Sequence, residues 1–195
     1  SGYLYTVSGA DSAVNLAGTN TWTLEGFIKP ETSPEYIDVI FNTYSSVQNG
    51  ILFDIRPTQG LSFYVRNGSN GESWTTYAAP SVGDWHHIAL TYDGAAGANG
   101  QFEVFVDYVK LDTVDLPVGI DRSILDASDQ DRIELMGRGL SGGNSGFGGL
   151  FDEWRLSDTK LASSQFLTTI VPEPASGLLL LLGGLFFLRR QRARQ

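Results

Sequence analysis

Cysteine is absent from the 195 residues. That removes disulfides, thiolate nucleophiles and cysteine-based zinc sites at one stroke. Histidine is almost absent. The two present, His86 and His87, are adjacent, so on a strand they point to opposite faces and cannot share a metal. Basic residues are few, 13 Lys and Arg against 22 Asp and Glu. Four of those arginines and one of the glutamates lie after Ile170, which leaves 9 basic and 21 acidic residues, a net of −12, before it. A body this acidic does not bind nucleic acid, which needs a basic patch. It is compatible with Ca²⁺ or neutral sugars. The first 170 residues contain neither a sustained 3.6-residue hydrophobic period nor a long apolar run.

What the body does contain is strands. In Trp22–Ile28, Trp22, Leu24, Gly26 and Ile28 share a face, and in Ile51–Arg56 so do Ile51, Phe53 and Ile55. Leu61–Arg66 repeats the pattern after the Pro57–Gly60 turn, so the pair reads as a hairpin. Trp85–Tyr92 and Gln101–Val109 also alternate, separated by the Gly-rich Asp93–Gly100. Ile133–Met136 and Leu150–Leu156 complete the set, and Leu161–Phe166 reads as one helical turn. With 23 glycines and 12% aromatics, this spacing predicts an all-β fold in one domain, residues 1–170: a two-sheet antiparallel sandwich.

The tail, residues 171–195, is different. Gly177–Leu188 is twelve uncharged residues, five leucines in a row among them. As a helix it would be about 18 Å long, against about 30 Å of bilayer core. Pro172, Glu173 and Pro174 precede it, and Arg189, Arg190, Arg192 and Arg194 follow it. The charge bias predicts a marginal inner-membrane tether with its C-terminus in the cytoplasm and the body outside. A short C-terminal hydrophobic helix is expected here.

Two resemblances follow from these motifs. The Val-Pro-Glu-Pro-Ala triplet region, hydrophobic segment and basic end resemble the PEP-CTERM sorting signal of Gram-negative bacteria. This implies processing by an exosortase that recognises Pro172, Glu173 and Pro174, and delivery to the cell surface or exopolysaccharide matrix. Such proteins begin with a secretory signal; the opening SGYLYTVSGAD has no basic or apolar region of that kind, so the signal has been removed or the sequence is a fragment. The body resembles the laminin G-like, concanavalin A-like lectin/glucanase superfamily through TWTLEGFIKP (Thr21–Pro30), GDWHHIALTYDG (Gly83–Gly94) and GFGGLFDEWRLSDTKLASSQF (Gly146–Phe166). It departs from the family at Tyr108, where glycine usually follows aspartate in a turn. The resemblance implies a jelly roll.

Chemistry is sparse. Glucan-cutting members of that superfamily carry carboxylates at alternating positions on one strand, and retaining hydrolysis needs two carboxyls about 5 Å apart. The chain has neither an E-x-D-x-E nor an E-x-D run to supply them, and Asp152 and Glu153 are adjacent. Asp152 is in phase with Leu150, Trp154 and Leu156, so its carboxylate should point to the interior or edge of the sandwich and need a cation or N–H donors. The resemblance implies that Asp152 ligates one structural calcium ion; hydrogen-bonding to loop N–H groups or pairing with an arginine is the alternative. Asp93 reads as a turn-former, and the acidic stretch from Asp112 to Glu134 as a solvated loop rather than a calcium loop. GRGLSG (Gly137–Gly142) matches a phosphate-loop spacing but opens no helix. Tyr36, Trp74, Tyr77 and Phe147 are candidates for stacking on sugars or for ordinary packing. The expected function is a non-catalytic surface or matrix protein with a glycan-binding sandwich and polysaccharide as ligand. The alternatives are an adhesive module without a sugar ligand, and a glycan hydrolase or lyase.

Overall fold

In a computed structural model of the chain, the structure describes residues 4–5, 20–33, 38–42, 49–67, 71–116, 134–136 and 146–168. Among the described residues, eleven strands form two antiparallel sheets. One runs in the order β1 (Leu4–Tyr5), β10 (Glu134–Leu135), β3 (Asp38–Asn42), β4 (Asn49–Arg56), β5 (Gly60–Asn67), β6 (Gly71–Tyr77). The other runs β11 (Gly149–Ser157), β2 (Thr21–Pro30), β7 (His86–Asp93), β8 (Gln101–Val106), β9 (Val109–Asp115). This is the all-β sandwich that the period-2 pattern predicts. The hydrophobic C-terminal segment and Pro172–Pro174 lie outside the described residues.

The predicted inward faces are the observed ones. Trp22, Leu24 and Ile28 of β2 meet Ile51, Phe53 and Ile55 of β4 and Leu61, Phe63 and Val65 of β5 in one core. Trp22 sits at its centre, its ring centroid 6.5 Å from Phe41, 5.9 Å from Tyr92 and 5.7 Å from Phe102. Gly26 continues the inward row because the Trp154 ring lies over it: a β-carbon there would stand 2.5 Å from the ring.

Two local features depart from simple alternation. The run Gln101–Val109 is not one strand. It breaks at Asp107 and Tyr108, both with positive φ (49° and 68°), which form the two-residue turn of the β8–β9 hairpin. Glycine ordinarily fills such positions because a side chain is strained there. Tyr108 offsets that strain with contacts glycine cannot make. Its ring stacks on His87 at 4.6 Å and 7°, and its hydroxyl donates to the Leu167 carbonyl at 2.9 Å. Stacking and one hydrogen bond are each worth about 1 kcal/mol, and left-handed strain costs about 1–2 kcal/mol. Tyr108→Gly should therefore change stability by less than about 1 kcal/mol. Tyr108→Ala, which keeps the strain and loses the contacts, should cost about 1–3 kcal/mol. Equal losses for the two variants in urea unfolding would contradict this account.

The second departure corrects the phase expected of Asp152. β11 pairs Asp152 with Phe27 but Arg155 with Glu25, so a bulge inserts one residue, and Glu153 takes a positive φ of 51°. Beyond the bulge Leu156 pairs with the inward Leu24. Before it, Asp152 shares the outer face with Phe27. Asp152 is thus on an edge strand, as one part of the expectation had it, but not on the face of Trp154 and Leu156.

Candidate functional site

One end of the sandwich gathers the polar groups. β2 ends there at Pro30, β3 starts at Asp38 and β4 ends at Arg56. The turn at 57–60, the linker at 78–85 and the Asp107–Tyr108 turn lie at the same end. Between these elements opens a cleft of about 280 Å³. Pro30, Ile55, Pro57, Pro80 and Val82 supply apolar walls; Thr32, Ser33, Asp38, Arg56 and Thr58 supply polar groups. An apolar frame with a few convergent polar groups is the composition of a small-molecule site, at the small end of the usual sizes of about 300–1,000 Å³. Three prolines fix three φ angles, so much of the wall is set before anything binds.

Asp38 is the residue that sets the cleft's chemistry. Only 8% of it is exposed. Its Oδ2 accepts the Gly148 N–H at 3.1 Å, and Oδ1 has no partner among the described residues. Desolvation raises the carboxyl above its ordinary value, and the Gly148 hydrogen bond opposes this only in part. The Arg56 charge is already engaged: its Nε lies 3.1 and 3.2 Å from the two oxygens of the buried Asp54, and Nη2 lies 3.1 Å from Oδ2.

Beside the cleft, His86 Nδ1 lies 2.8 Å from Asp107 Oδ2, and Nε2 lies 3.0 Å from Ser81 Oγ. That is the spacing of a serine–histidine–aspartate relay. Two details argue against a nucleophile. The Ser81 hydroxyl donates to Asp84 Oδ2 at 2.9 Å, whereas an activated serine gives its proton to the histidine. The second detail is direction: Pro80 and Val82 line the cleft while Ser81 between them does not. What these bonds do is latch the 78–85 linker, one wall of the cleft, to the β8–β9 turn. Asp107 Oδ1 completes the latch by accepting the His87 N–H at 3.0 Å.

A third polar group lies on the outer face of the five-stranded sheet. Glu25, fully buried, accepts from His87 Nε2 at 2.9 Å, from Arg155 Nε at 2.8 Å and Nη2, and from the Leu167 N–H at 2.9 Å. Arg155 also donates to the Gln165 carbonyl at 2.8 Å. Phe166 packs on Ala89 and Phe105 next to these bonds. The closing segment 158–168, with its single 3-10 turn Ser163–Gln165, is thereby strapped across the sheet. Burial is the largest influence on the Glu25 carboxyl and would raise its pKa; the bonds from His87, Arg155 and Leu167 together with the Arg155 charge outweigh it, and the net shift is downward.

The residues expected from sequence fall in different places. Asp152 Oδ1 accepts the Glu153 N–H at 2.9 Å, and no three His, Asp or Glu side chains converge among the described residues. Calcium takes six to eight oxygens, so an ion here would need most of them from carbonyls or from segments outside the described residues. His87 is buried and His86 partly exposed, on opposite faces as adjacency requires. Asp93 forms its turn by accepting the Ala95 N–H at 3.0 Å. Phe147 is core. Tyr77 packs against the core, and its hydroxyl donates to Asp112 Oδ2 at 3.2 Å; burial, with the Asp112 charge and against a Thr75 hydrogen bond, pushes its pKa up to about 12. The Phe147 ring is hidden from solvent, and the Tyr77 ring is half-buried. Tyr36, the Trp74 side chain and Gly137–Gly142 lie outside the described residues. Sequence reading missed Asp38 and Glu25. The one signal for Asp38 was an aspartate opening the apolar run Val39–Phe41, and for Glu25 a glutamate alternating with Trp22 and Leu24.

A family model matches residues 5–165, that of the concanavalin A-like lectin/glucanases superfamily. The chain belongs to this superfamily. Solved structures share the fold. A protein from Bacteroides ovatus, provisionally assigned as carbohydrate binding, is 21% identical with a TM-score of 0.60, over 90% of this chain and 47% of that one. A heptameric SAP-like pentraxin from Limulus polyphemus is 14% identical with a TM-score of 0.54, over 84% and 79%. Botulinum neurotoxin type C, whose cell entry depends on two ganglioside molecules, is 12% identical with a TM-score of 0.51, over 83% and 40%. The chain spans about half the length of the first of these. No curated protein matches it.

Proposed function

We propose that this superfamily member is an exported, non-catalytic protein of the cell surface or exopolysaccharide matrix, whose sandwich binds a glycan and whose tail is processed by an exosortase at Pro172–Glu173–Pro174. The observation that carries the binding part is the cleft at the sandwich end, apolar-walled, with the mostly buried Asp38 carboxylate in its lining and only one of its oxygens hydrogen-bonded, on a lectin-type fold. The tail's order of triplet, apolar run and arginines supports the export part. An adhesive module is the second reading. It is favoured by exposed apolar side chains on both edge strands of the five-stranded sheet, Val109 and Leu111 on β9 and Leu150 and Phe151 on β11.

The test is co-sedimentation of the full chain with insoluble polysaccharides, with calcium and with EDTA. Binding to at least one polysaccharide, without release of reducing sugar, is expected. Loss of that binding in EDTA would support the calcium ion at Asp152, and unchanged binding would remove it from the proposal. Sedimentation with none, alongside capture by other surface proteins, would favour the adhesive reading. Mass measurement of the protein released by the exporting cell should find a chain cut near Pro172–Pro174; a released chain that still carries Gly177–Leu188 contradicts the sorting reading.

A further inference from the structure

The cleft permits a more specific statement, which rests on the glycan-binding reading. We propose that it holds one uncharged sugar residue, with a sugar hydroxyl donating to Asp38 Oδ1.

Each class of small ligand meets a different obstacle here, and only one meets none. A cation would find a single carboxylate in the lining. Hard cations need several oxygens, which one carboxylate does not supply. An anion would find Arg56 already paired with Asp54 and the Asp38 carboxylate facing it. The body's net charge of −12 repels anions further. An apolar ligand would leave Oδ1 buried without a partner, which is costly. A neutral polyol avoids all three. Its hydroxyls donate to Oδ1, the Thr32 and Thr58 hydroxyls stand ready as further partners, and its C–H faces lie against the proline walls. The volume of about 280 Å³ suits one ring rather than a chain segment. Oδ2 is held by the Gly148 N–H, so the acceptor is positioned before the sugar arrives.

Two substitutions test this. In Asp38→Asn the amide oxygen must face the Gly148 N–H, which turns its NH₂ into the cleft and replaces an acceptor with a donor. Val82→Trp leaves Asp38 untouched; Val82 is exposed at the cleft rim, and the larger side chain there fills the opening. The full chain and both variants, each checked for a cooperative thermal transition, are titrated with dextran, galactomannan and cello-oligosaccharides, and with polygalacturonate as the charged counterpart. We expect wild type to bind at least one neutral glycan, polygalacturonate to bind more weakly, and both variants to lose about tenfold or more in affinity. If Asp38→Asn fails to fold, Val82→Trp decides. Wild-type binding left unchanged by the variants that fold would overturn the cleft assignment while leaving the glycan-binding module standing. Preference for polygalacturonate would overturn the neutral class. No binding to any of the four would overturn both the site and the reading it rests on.

Discussion

Glu25→Ala should lower the stability of the domain by about 3–5 kcal/mol, because it leaves buried polar groups without their shared acceptor. At about 2–4 °C per kcal/mol for a domain of this size, that is a fall of about 6–20 °C in Tm. Four donors converge on this one carboxylate: His87 Nε2, Arg155 Nε and Nη2, and the Leu167 N–H. Alanine takes this acceptor from all four, leaving Nη2 only the Gln165 carbonyl, and the strap at 158–168 keeps only its Thr21 and Thr23 bonds to β2. Glu25→Gln keeps an acceptor and should lose less. The pH dependence separates charge from packing. The Glu25 carboxyl lies below its ordinary value of 4.5 in the folded protein. Its contribution is therefore fully present above about pH 4.5 and is lost as pH falls through the lower folded value. Wild type should be more stable than Glu25→Gln at neutral pH, and the gap should close on acidification below pH 4.5. A gap that stays constant down to pH 2.5 would show that the Glu25 charge does not stabilise the strap.

Trp22→Ala should cost a similar 3–5 kcal/mol, for a different reason. Trp22 is fully buried between Phe41, Tyr92 and Phe102, and thus joins the two sheets. Its removal leaves a cavity that the flanking strands, tied into ladders on both sides, cannot close. Trp22→Phe is the informative control. The Trp22 indole N–H is buried with no hydrogen-bond partner among the described residues, so phenylalanine removes an unsatisfied donor while creating a smaller cavity. These effects oppose each other, and the net loss should stay below about 1.5 kcal/mol. A Phe variant as unstable as the Ala variant in urea unfolding would mean that the indole N–H is satisfied, or that ring shape dominates.

What could be read from the sequence was what depends on neighbours along the chain. The inward rows of β2, β4 and β5 follow from alternation, and the 57–60 hairpin from its proline and glycine. The opposed histidines follow from the two-residue period of a strand. The Asp152 phase failed because a bulge is an insertion of one residue, and nothing in LFDEWRL marks where it falls. Glycine would have marked it, but Glu153 takes the left-handed conformation instead. The alternation of Gln101–Val109 runs through its turn for the same reason: Asp107 and Tyr108 turn the chain without a glycine, and only the family resemblance marks the place. Tyr108 is tolerated there because of His87 and Leu167, which are distant in sequence. Glu25 and Arg155 are 130 residues apart, and Asp38 and Gly148 are 110 apart. Such pairs exist only once the closing strand has docked beside β2. The strands β3, β6 and β9 were also missed, β9 because its Asp112 and Asp115 open the acidic stretch that reads as a loop. DVIFN is a short continuous apolar run and GESWTTY is mostly polar, so neither shows the alternation that reveals a half-buried strand.

The functional claim is that a lectin-type sandwich holds a neutral sugar in a cleft set by Asp38 and three prolines. Saturation-transfer NMR reads that claim most directly, with the folded full chain and a neutral oligosaccharide such as cellotriose or galactomannotriose. The account predicts transfer to the ring protons of one sugar residue in at least one such ligand, and its disappearance in Asp38→Asn that still unfolds cooperatively. Absence of transfer to every neutral sugar tried, from protein that is folded, would contradict it.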